Sequence, residues 1–184
     1  MRLGWIILQV AHTSVTTKNN TQTDSTEMAK IALFAGSFDP FTRGHEAVVE
    51  VALQLFDEVV VGVGENVSKR SLLSVEQRCR LIADRYKDDS RVRVVSYNTL
   101  TGDFAREVGA TVLVRGVRNT LDFEFERTIE ATNRELFPEL TTVLIPTPAE
   151  VMHISSSMVR ELLAFGREVD DYLPQNINIK NYIQ

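Results

Sequence analysis

The segment from Gly36 to His45, which reads GSFDPFTRGH, combines residue types that together bind a phosphate group. Gly36 allows the backbone to turn sharply and to approach a ligand closely, and Ser37 adds a hydroxyl and an amide. A helix that begins near Gly44 would direct free N–H groups and the positive end of its dipole to the same place. His45, in the first turn of that helix, could donate a hydrogen bond to a phosphoryl oxygen. The segment therefore predicts an anion site for a phosphorylated ligand.

Two other phosphate-binding motifs are absent from the sequence. The pattern Gly-x-x-x-x-Gly-Lys-Ser/Thr of the P-loop does not occur. Gly62 and Gly64 lie at the end of the second predicted strand, but Val67 stands where the dinucleotide-binding fingerprint requires a third glycine. The segment around His45 is therefore the main indication of how a phosphate is bound. Its parts taken singly, a turn, a loop glycine and a surface histidine, would indicate nothing.

Cationic and hydroxyl side chains recur later in the chain, where loops would face the same ligand. Lys69 follows the second predicted strand, Arg115 ends a later strand, and Arg118 comes three residues further on. An arginine fork suits bidentate contact with a phosphate, whereas a lysine on a loop acts as a point charge. The serines from Ser155 to Ser157 precede a predicted helix and suggest a second anion site, although one serine acting as a plain N-cap explains the same pattern.

An α/β fold has to position these residues, because β-branched runs alternate with amphipathic stretches from Met28 onward. The predicted strands are nearly continuous in Val, Ile and Leu, as strands covered on both faces are. They span residues 31–35, 59–63, 92–96, 111–115 and 142–145, and the predicted helices span 45–56, 74–86, 102–108, 122–137 and 156–165. This order predicts a Rossmann-like, doubly wound sheet of five parallel strands with helices on both faces. Ligands of such a sheet bind beyond the carboxyl ends of the strands, where the strand order reverses.

Length and composition fit one globular domain. The chain has 184 residues, of which 43% are hydrophobic and 24% are charged, and its net charge is −5. That charge argues against broad nucleic-acid binding, which needs a basic face, but it allows small anionic ligands. The single cysteine, Cys79, cannot form an internal disulfide and lies on the predicted buried stripe of a helix, so a reducing, cytoplasmic compartment is expected.

The first 27 residues do not continue the α/β pattern. Leu3 to Val10 is apolar apart from Gln9, but a membrane span needs about twenty apolar residues, and a signal peptide needs a cationic start and a longer apolar run. A polar stretch from Thr13 to Glu27 follows. We therefore predict that residues 1–27 are an extension outside the fold, that residues 28–184 form a single domain, and that the protein has no membrane partner.

The motifs resemble those of the nucleotidyltransferases with an (H/T)xGH motif, and among these the phosphopantetheine adenylyltransferase family. Thr42-Arg43-Gly44-His45 has the threonine that this family carries in the first place of the motif. The resemblance runs from about Met28 to Asn176. Its other matching segments are Ser68-Lys69, Arg115-Gly116-Val117-Arg118, Asp122 to Glu126, Asn133 and Ile154 to Ser157.

The resemblance implies transfer of an adenylyl group from ATP to phosphopantetheine, which gives dephospho-coenzyme A and pyrophosphate. It implies that His45 stabilises the transition state, with Lys69 and Arg115 as the other catalytic side chains. The implied acceptor site consists of Ser37, Lys69, Thr101, Arg115 and Asn133. The implied ATP site consists of Ser37, Phe38, His45, Gly116, Val117, Arg118, Glu126, Val151, Met152, His153, Ile154, Ser155, Ser156 and Ser157.

Cofactor, assembly and regulation are also implied by the resemblance. No cluster in the sequence has metal-ligand spacing, so Mg²⁺ is expected to arrive bound to ATP, largely hydrated. The family implies a homohexamer. Feedback by coenzyme A is a hypothesis, because the reaction product closely resembles that end product.

Several alternatives stay open at this level. Glu126 either contacts ATP or lies on a solvated helical face, and Phe125 and Val151 differ from the aromatic residues that are usual in the family, which leaves adenine stacking open. A different adenylyl- or cytidylyltransferase of the same fold is a second functional hypothesis, against which Thr42 speaks. A nucleotide-sensing module without catalysis is a third, and it would be expected to lack His45, Lys69 or Arg115.

Overall fold

The architecture is a twisted sheet of five parallel strands between two layers of helices. The computed structural model describes residues 29–65 and 71–183. The strands are β1 (Ile31–Gly36), β2 (Glu58–Gly64), β3 (Val92–Tyr97), β4 (Val112–Val117) and β5 (Thr141–Pro146). The helices are α1 (Arg43–Ala52), α2 (Val75–Tyr86), α3 (Thr101–Val108), α4 (Thr120–Leu136) and α5 (Ser156–Ala164), followed by 3-10 turns at Asp170–Tyr172 and Ile179–Asn181.

The strand order is β3-β2-β1-β4-β5, with every neighbouring pair parallel. The order reverses between β1 and β4, because the chain first builds outward from β1 through β2 to β3 and then returns to the other side of β1. The predicted doubly wound, Rossmann-like α/β sheet is therefore confirmed. The crevice at the β1/β4 junction is the place where such a sheet binds its ligand.

Two hydrophobic cores cover the two faces of the sheet. Alternate residues of β1 belong to opposite cores: Ala32 and Phe34 pack with α1, α2 and α5, whereas Leu33 and Ala35 pack with α3 and Phe137. This division follows from the period of two in a strand, which sends successive side chains to opposite faces. Helices therefore lie on both faces, as predicted.

The local signals at the helix ends are also confirmed. Ser74 accepts a hydrogen bond from the Gln77 amide, and the Gln77 side chain accepts one from the Ser74 amide, which completes the capping box of α2. Gly166, two residues beyond α5, has φ 68°. It takes the left-handed conformation that favours glycine at a helix end.

Three expectations are corrected. Helix α1 ends at Ala52 and not at Phe56, since residues 53–55 form turns. Helix α4 begins at Thr120, two residues before the predicted start, because the Asn119 side chain caps it by accepting from the Asp122 amide. The edge strands β3 and β5 are not covered on both faces, and Arg93 and Ser96 of β3 are exposed. Their valines follow the pattern of a buried strand, but an edge strand has a neighbour on only one side.

The predicted extension at residues 1–27 lies outside the described residues, and so do residues 66–70 with Lys69. Among residues 29–65 and 71–183, no helix has the length and apolar character needed to cross a bilayer.

Candidate active site

A cleft of about 520 Å³ lies at the carboxyl ends of β1 and β4, at the reversal of strand order. Its walls come from the loop after β1, the N-terminal turn of α1, the end of β4, the first turns of α4 and the N-terminus of α5. Both α1 and α5 direct their unpaired amide ends to this region, which favours a bound anion. The cleft is therefore an anion site assembled from segments that are distant in sequence.

His45 is held as a neutral hydrogen-bond donor. Its Nδ1 atom accepts from the Thr42 backbone amide at 3.0 Å and lies 3.0 Å from the Thr42 hydroxyl. Because a backbone N–H can only donate, Nδ1 carries no proton, and the proton of the neutral ring sits on Nε2. The pKa of His45 is lowered from 6.5 to about 4, chiefly because the ring is buried and also because of the positive charges of Arg118 and Arg115.

Thr42 explains the first position of the motif in physical terms. The residue is fully buried and serves as the N-cap of α1. Its amide and its hydroxyl both lie within hydrogen-bond distance of His45 Nδ1, the ring nitrogen that carries no proton. These contacts fix the tautomer and the orientation of the ring. The side chain needs no contact with a ligand to be important for the site.

Arg115 does not present a free fork to the cleft. Its Nε and Nη2 atoms donate to the two carboxylate oxygens of Glu126 at 2.8 and 2.7 Å, and Nη1 donates to the Ala35 carbonyl at 2.6 Å. Glu126 is only 7% exposed, so its predicted alternative on a solvated helical face is wrong. A phosphate that takes both fork positions of Arg115 has to displace this carboxylate.

Arg118 is held in the same manner by an acidic residue that lies one helical turn nearer the start of α4. Its Nε and Nη2 atoms donate to the Asp122 carboxylate at 2.7 and 3.1 Å, and its own amide donates to Asp122 at 3.1 Å. The side-chain hydrogen bond from Arg118 is the largest cause that lowers the pKa of Asp122. Asp122 and Glu126 are one helical turn apart, and this spacing lets α4 hold both arginines at the cleft wall.

The three serines at the start of α5 have different hydrogen-bond partners. Ser155 caps the helix by accepting from the Met158 amide at 3.2 Å, which is the plain N-cap considered from sequence. Ser156 donates to the Pro40 carbonyl at 2.9 Å, and Ser157 accepts from Arg160 at 3.1 Å. All three line the cleft, so the same segment caps a helix and forms a wall of the site.

The cleft brings together most of the residues predicted from sequence. Those that line it are Ser37, Phe38, His45, Arg115, Gly116, Arg118, Glu126, Ile154, Ser155, Ser156 and Ser157. Val117, Val151, Met152, His153, Thr101 and Asn133 do not line this cleft, and Lys69 lies outside the described residues. Their roles remain predictions.

Some of the residues predicted for the site, inside and outside the cleft, have other contacts. The carbonyl oxygens of the buried Val151 and Ile154 lie 3.5 and 3.2 Å from where a Cβ of Gly44 would stand, so a larger residue at position 44 would press on the Ile154 carbonyl. The Thr101 hydroxyl lies 3.1 Å from the Tyr97 hydroxyl. Met152 and His153 are exposed.

Three charged residues of the cleft, Asp39, Arg78 and Arg160, were not given a role from the sequence. Asp39 accepts from the amides of Leu72 and Leu73, each at 2.8 Å. Arg160 donates to the Asp39 carbonyl and to Ser157, and Arg78 donates to the Ser37 carbonyl. Arg78 could have been found, because it lies three and four residues before the apolar Leu81 and Ile82, and a cation on the buried stripe of a helix is unusual.

The fold and the cleft define a nucleotidyltransferase, with a neutral histidine at a helix N-terminus among arginines at the sheet's switch point. The model of the cytidylyltransferase-like family matches residues 33–162. A phosphopantetheine adenylyltransferase from Porphyromonas gingivalis is 52% identical over 145 residues, which are 79% of this chain and 94% of that protein. One from Bacteroides thetaiotaomicron is 43% identical over 148 residues, which are 80% of this chain and 97% of that protein. The chain belongs to the phosphopantetheine adenylyltransferases, a family of enzymes within the cytidylyltransferase-like group.

A solved structure shares the fold at much lower identity. The bifunctional NMN adenylyltransferase/ADP ribose pyrophosphatase from Francisella tularensis matches with a TM-score of 0.61 and 19% identity. The match covers 83% of this chain and 47% of that one, so the chain spans about half the length of the bifunctional protein. At this identity the similarity concerns the fold alone.

Proposed function

We propose that the cleft transfers the adenylyl group of ATP to phosphopantetheine, giving dephospho-coenzyme A and pyrophosphate. The observation that carries this proposal is the neutral His45 with its proton on Nε2, at the N-terminus of α1 and beside two arginines. A phosphate oxygen of phosphopantetheine attacks the α-phosphorus of ATP, and the bond from that phosphorus to the pyrophosphate leaving group breaks. Such a transfer needs positioning and charge neutralisation more than covalent help.

The residues of the cleft supply donors to the oxygens on which charge develops. His45 donates from Nε2 without carrying a net charge of its own, so it stabilises the transition state without binding the ground state tightly. The amide ends of α1 and α5 add fixed partial positive charge. Arg115 and Arg118 add positive charge, which Glu126 and Asp122 orient and partly neutralise in the free protein. Lys69 keeps its proposed role on the acceptor phosphate.

We propose further that Mg²⁺ reaches the site with ATP. Among residues 29–65 and 71–183, no group of three or more His, Cys, Asp or Glu side chains is placed to hold a metal ion. Asp39, Asp122 and Glu126 line the cleft, but each uses both carboxylate oxygens on amides or arginines of this chain. A hydrated Mg²⁺ held by phosphate oxygens fits this arrangement, and it would neutralise charge on the nucleotide. Titration calorimetry with MgCl₂ alone should detect no binding, while activity should vanish when the ion is chelated.

A substrate panel tests the reaction directly. Pyrophosphate release should be measured with ATP and with CTP, each paired with phosphopantetheine, nicotinamide mononucleotide or glycerol phosphate. Release only from ATP with phosphopantetheine supports the proposal, whereas release only with CTP would assign the cleft to a cytidylyltransferase. Binding of ATP without release in any pairing would indicate a nucleotide-sensing module.

Assembly, regulation and compartment form the finer part of the proposal. We propose a homohexamer, and the exposed apolar side chains Leu121, Phe123 and Phe125 on the first turns of α4 support a contact with other copies. Inhibition by coenzyme A is proposed because its structure contains that of the product, and steady-state competition against ATP and phosphopantetheine tests it. A cytoplasmic location is proposed on the single free cysteine.

A further inference from the structure

The four arginines that line the cleft fall into two groups. Arg115 and Arg118 are each paired with a carboxylate of α4. Arg78 and Arg160 also line the cleft, and neither forms an ion pair within the described part of the chain. Of these two, Arg78 is only 3% exposed, so it is a buried cation that forms no ion pair with residues 29–65 and 71–183.

Burial of an unpaired guanidinium is costly, because the charged form loses its hydration. Hydrogen bonds from Arg78 to backbone carbonyls offset part of that cost. Its Nη1 atom donates to the Ser37 carbonyl at 2.6 Å and to the Gly64 carbonyl at 3.2 Å, and its Nε atom donates to the Ser74 carbonyl at 3.3 Å. Its Nη2 atom has no hydrogen-bond partner in residues 29–65 and 71–183. A fold that only needed to fill this space would use an apolar side chain on the buried stripe of α2.

The carbonyls that Arg78 joins belong to the ends of two neighbouring strands. Ser37 follows β1, and Gly64 is the last residue of β2, immediately before the segment that leads to Lys69. Without Arg78, β1 and β2 are tied by sheet hydrogen bonds only as far as their paired residues Gly36 and Val63. Arg78 therefore holds Ser37, which lies beyond the end of β1, at a fixed distance from Gly64 at the end of β2.

We propose that Arg78 is a positioning residue for the acceptor phosphate. It fixes Ser37 relative to the end of β2 and leaves its uncompensated positive charge and its Nη2 donors to the acceptor side of the cleft. This inference rests on the proposed function, in which Ser37 and Lys69 orient the attacking phosphate. Apart from Ser37, Phe38 and His45, the proposed ATP contacts lie on or near the β4, α4 and α5 walls and depend less on Arg78.

Two substitutions separate charge from geometry. Arg78→Met keeps the apolar stem but removes the charge and every donor, whereas Arg78→Lys keeps a charge but loses the Nε donor to Ser74 and the Nη2 donors of the guanidinium. The matched control is Arg80→Met on the same helix, since the Arg80 side chain is 73% exposed and pairs with Asp84 at 3.9 Å. The KM for phosphopantetheine, the KM for ATP, kcat and the thermal unfolding midpoint are measured for each variant.

Loss of a charge-assisted contact predicts a rise of about 10- to 100-fold in the KM for phosphopantetheine for Arg78→Met. Arg78→Lys should lie between this variant and the wild type, the KM for ATP should stay within about threefold, and Arg80→Met should match the wild type. A merely structural role would lower the unfolding midpoint and raise both KM values together. That result, or an unchanged KM for phosphopantetheine in either folded variant, would overturn the proposal, and Arg78→Lys alone carries the test if Arg78→Met does not fold.

The proposed function can fail separately, because its failure appears in the wild-type protein as no activity with ATP and phosphopantetheine. In that case inorganic phosphate is the probe. Phosphate should raise the unfolding midpoint of the wild type and of Arg80→Met, and it should raise that of Arg78→Met less. Equal shifts in all three proteins would show that Arg78 does not serve an anion.

Discussion

At the scale of single residues, the state of His45 decides what the cleft can do. A protonated imidazole would add a third cation beside Arg115 and Arg118, and the unfavourable interaction with these charges is one reason why its pKa falls to about 4. The Thr42 amide then selects which nitrogen of the neutral ring keeps the proton. The site therefore uses histidine as a directed donor that does not titrate near neutral pH.

Titration of the free protein by NMR checks this state. The His45 ring should stay neutral with the Nε2 proton down to about pH 5, and the signal is assigned by its loss in His45→Ala. The unfolded chain binds more protons than the folded chain between pH 6.5 and about 4, because the folded pKa of His45 is the lower one. The free energy of unfolding of the wild type should therefore fall, relative to His45→Ala, as the pH decreases through this window. A His45 pKa of 6 or above would contradict the assignment.

The same donor predicts a kinetic effect. His45→Ala removes one preorganised donor from the transition state, and such losses typically cost about 10²–10³ in rate. We expect kcat to fall by this factor while the dissociation constant of ATP, measured by calorimetry, changes much less. Near-normal turnover in the variant would remove His45 from the mechanism.

A further prediction at the scale of residues concerns the contribution of Glu126 to the free energy of unfolding. Glu126→Gln leaves Arg115 without its charged partner, and the Arg115 side chain is about three-quarters buried. The free energy of unfolding, measured with urea, should fall by about 1–3 kcal/mol, less than for a fully buried pair because water screens part of the charge. Glu124→Gln is the control, since Glu124 is exposed on the same helix. Equal effects of the two substitutions would show that the Arg115–Glu126 pair contributes nothing.

At the scale of elements, the loop after β1 is fixed from several sides. Its backbone carbonyls accept from Arg78 on α2 and from Arg160 and Ser156 on α5. The buried carboxylate of Asp39 accepts hydrogen bonds from the amides of Leu72 and Leu73, near the start of α2. Helices on one face of the sheet therefore hold the segment that carries Ser37, and Asp39 in turn anchors the start of the α2 region.

Asp39→Asn tests this anchor. An amide has only one acceptor atom, so one of the two backbone amides loses its partner while the side chain keeps its size. We expect faster hydrogen exchange at the amides of Leu72 and Leu73 and a raised KM for phosphopantetheine. Asp57→Asn is the control, because Asp57 accepts the Lys30 amide at an exposed position far from the cleft. Unchanged exchange at both leucine amides would contradict the role given to Asp39.

At the scale of the whole molecule, the sequence predicts the fold and the place of the site better than the contacts within it. The alternation of strands and helices predicts the doubly wound sheet, and the GSFDPFTRGH segment predicts the β1 loop, because both depend on patterns local in the chain. The pairing of Arg115 with Glu126 and the bridging by Arg78 depend on contacts across 11 and 41 positions of sequence. No local pattern decides whether an arginine will face a carboxylate, a carbonyl or a ligand. The limited burial of β3 and β5 was missed for a related reason, since strand order in the sheet is not a local property.

A net charge of −5 is compatible with a cationic cleft, because the local charge of a site can differ from the net charge of the chain. Acidic residues outnumber basic ones over the whole chain, but the cleft collects four arginines against three carboxylates, Asp39, Asp122 and Glu126. Because screening limits the reach of surface charges to about 10 Å at ordinary ionic strength, a bound phosphate senses the local arginines. Specific binding of a small anion is therefore consistent with little attraction for nucleic acid.

The last prediction concerns the surface of α4. Leu121 is 81% exposed and Phe125 is 65% exposed, and these side chains lie one helical turn apart, on the helix whose carboxylates hold Arg115 and Arg118. If this surface contacts other copies of the chain, light scattering should give the wild type a mass six times the 20.8 kDa of one chain. Leu121→Glu would place a charge in that contact and should lower the mass, whereas Phe165→Glu, at an equally exposed site after α5, should not. A monomeric wild type would exclude the homohexamer, and a six-chain mass for Leu121→Glu would place the contact elsewhere on the molecule.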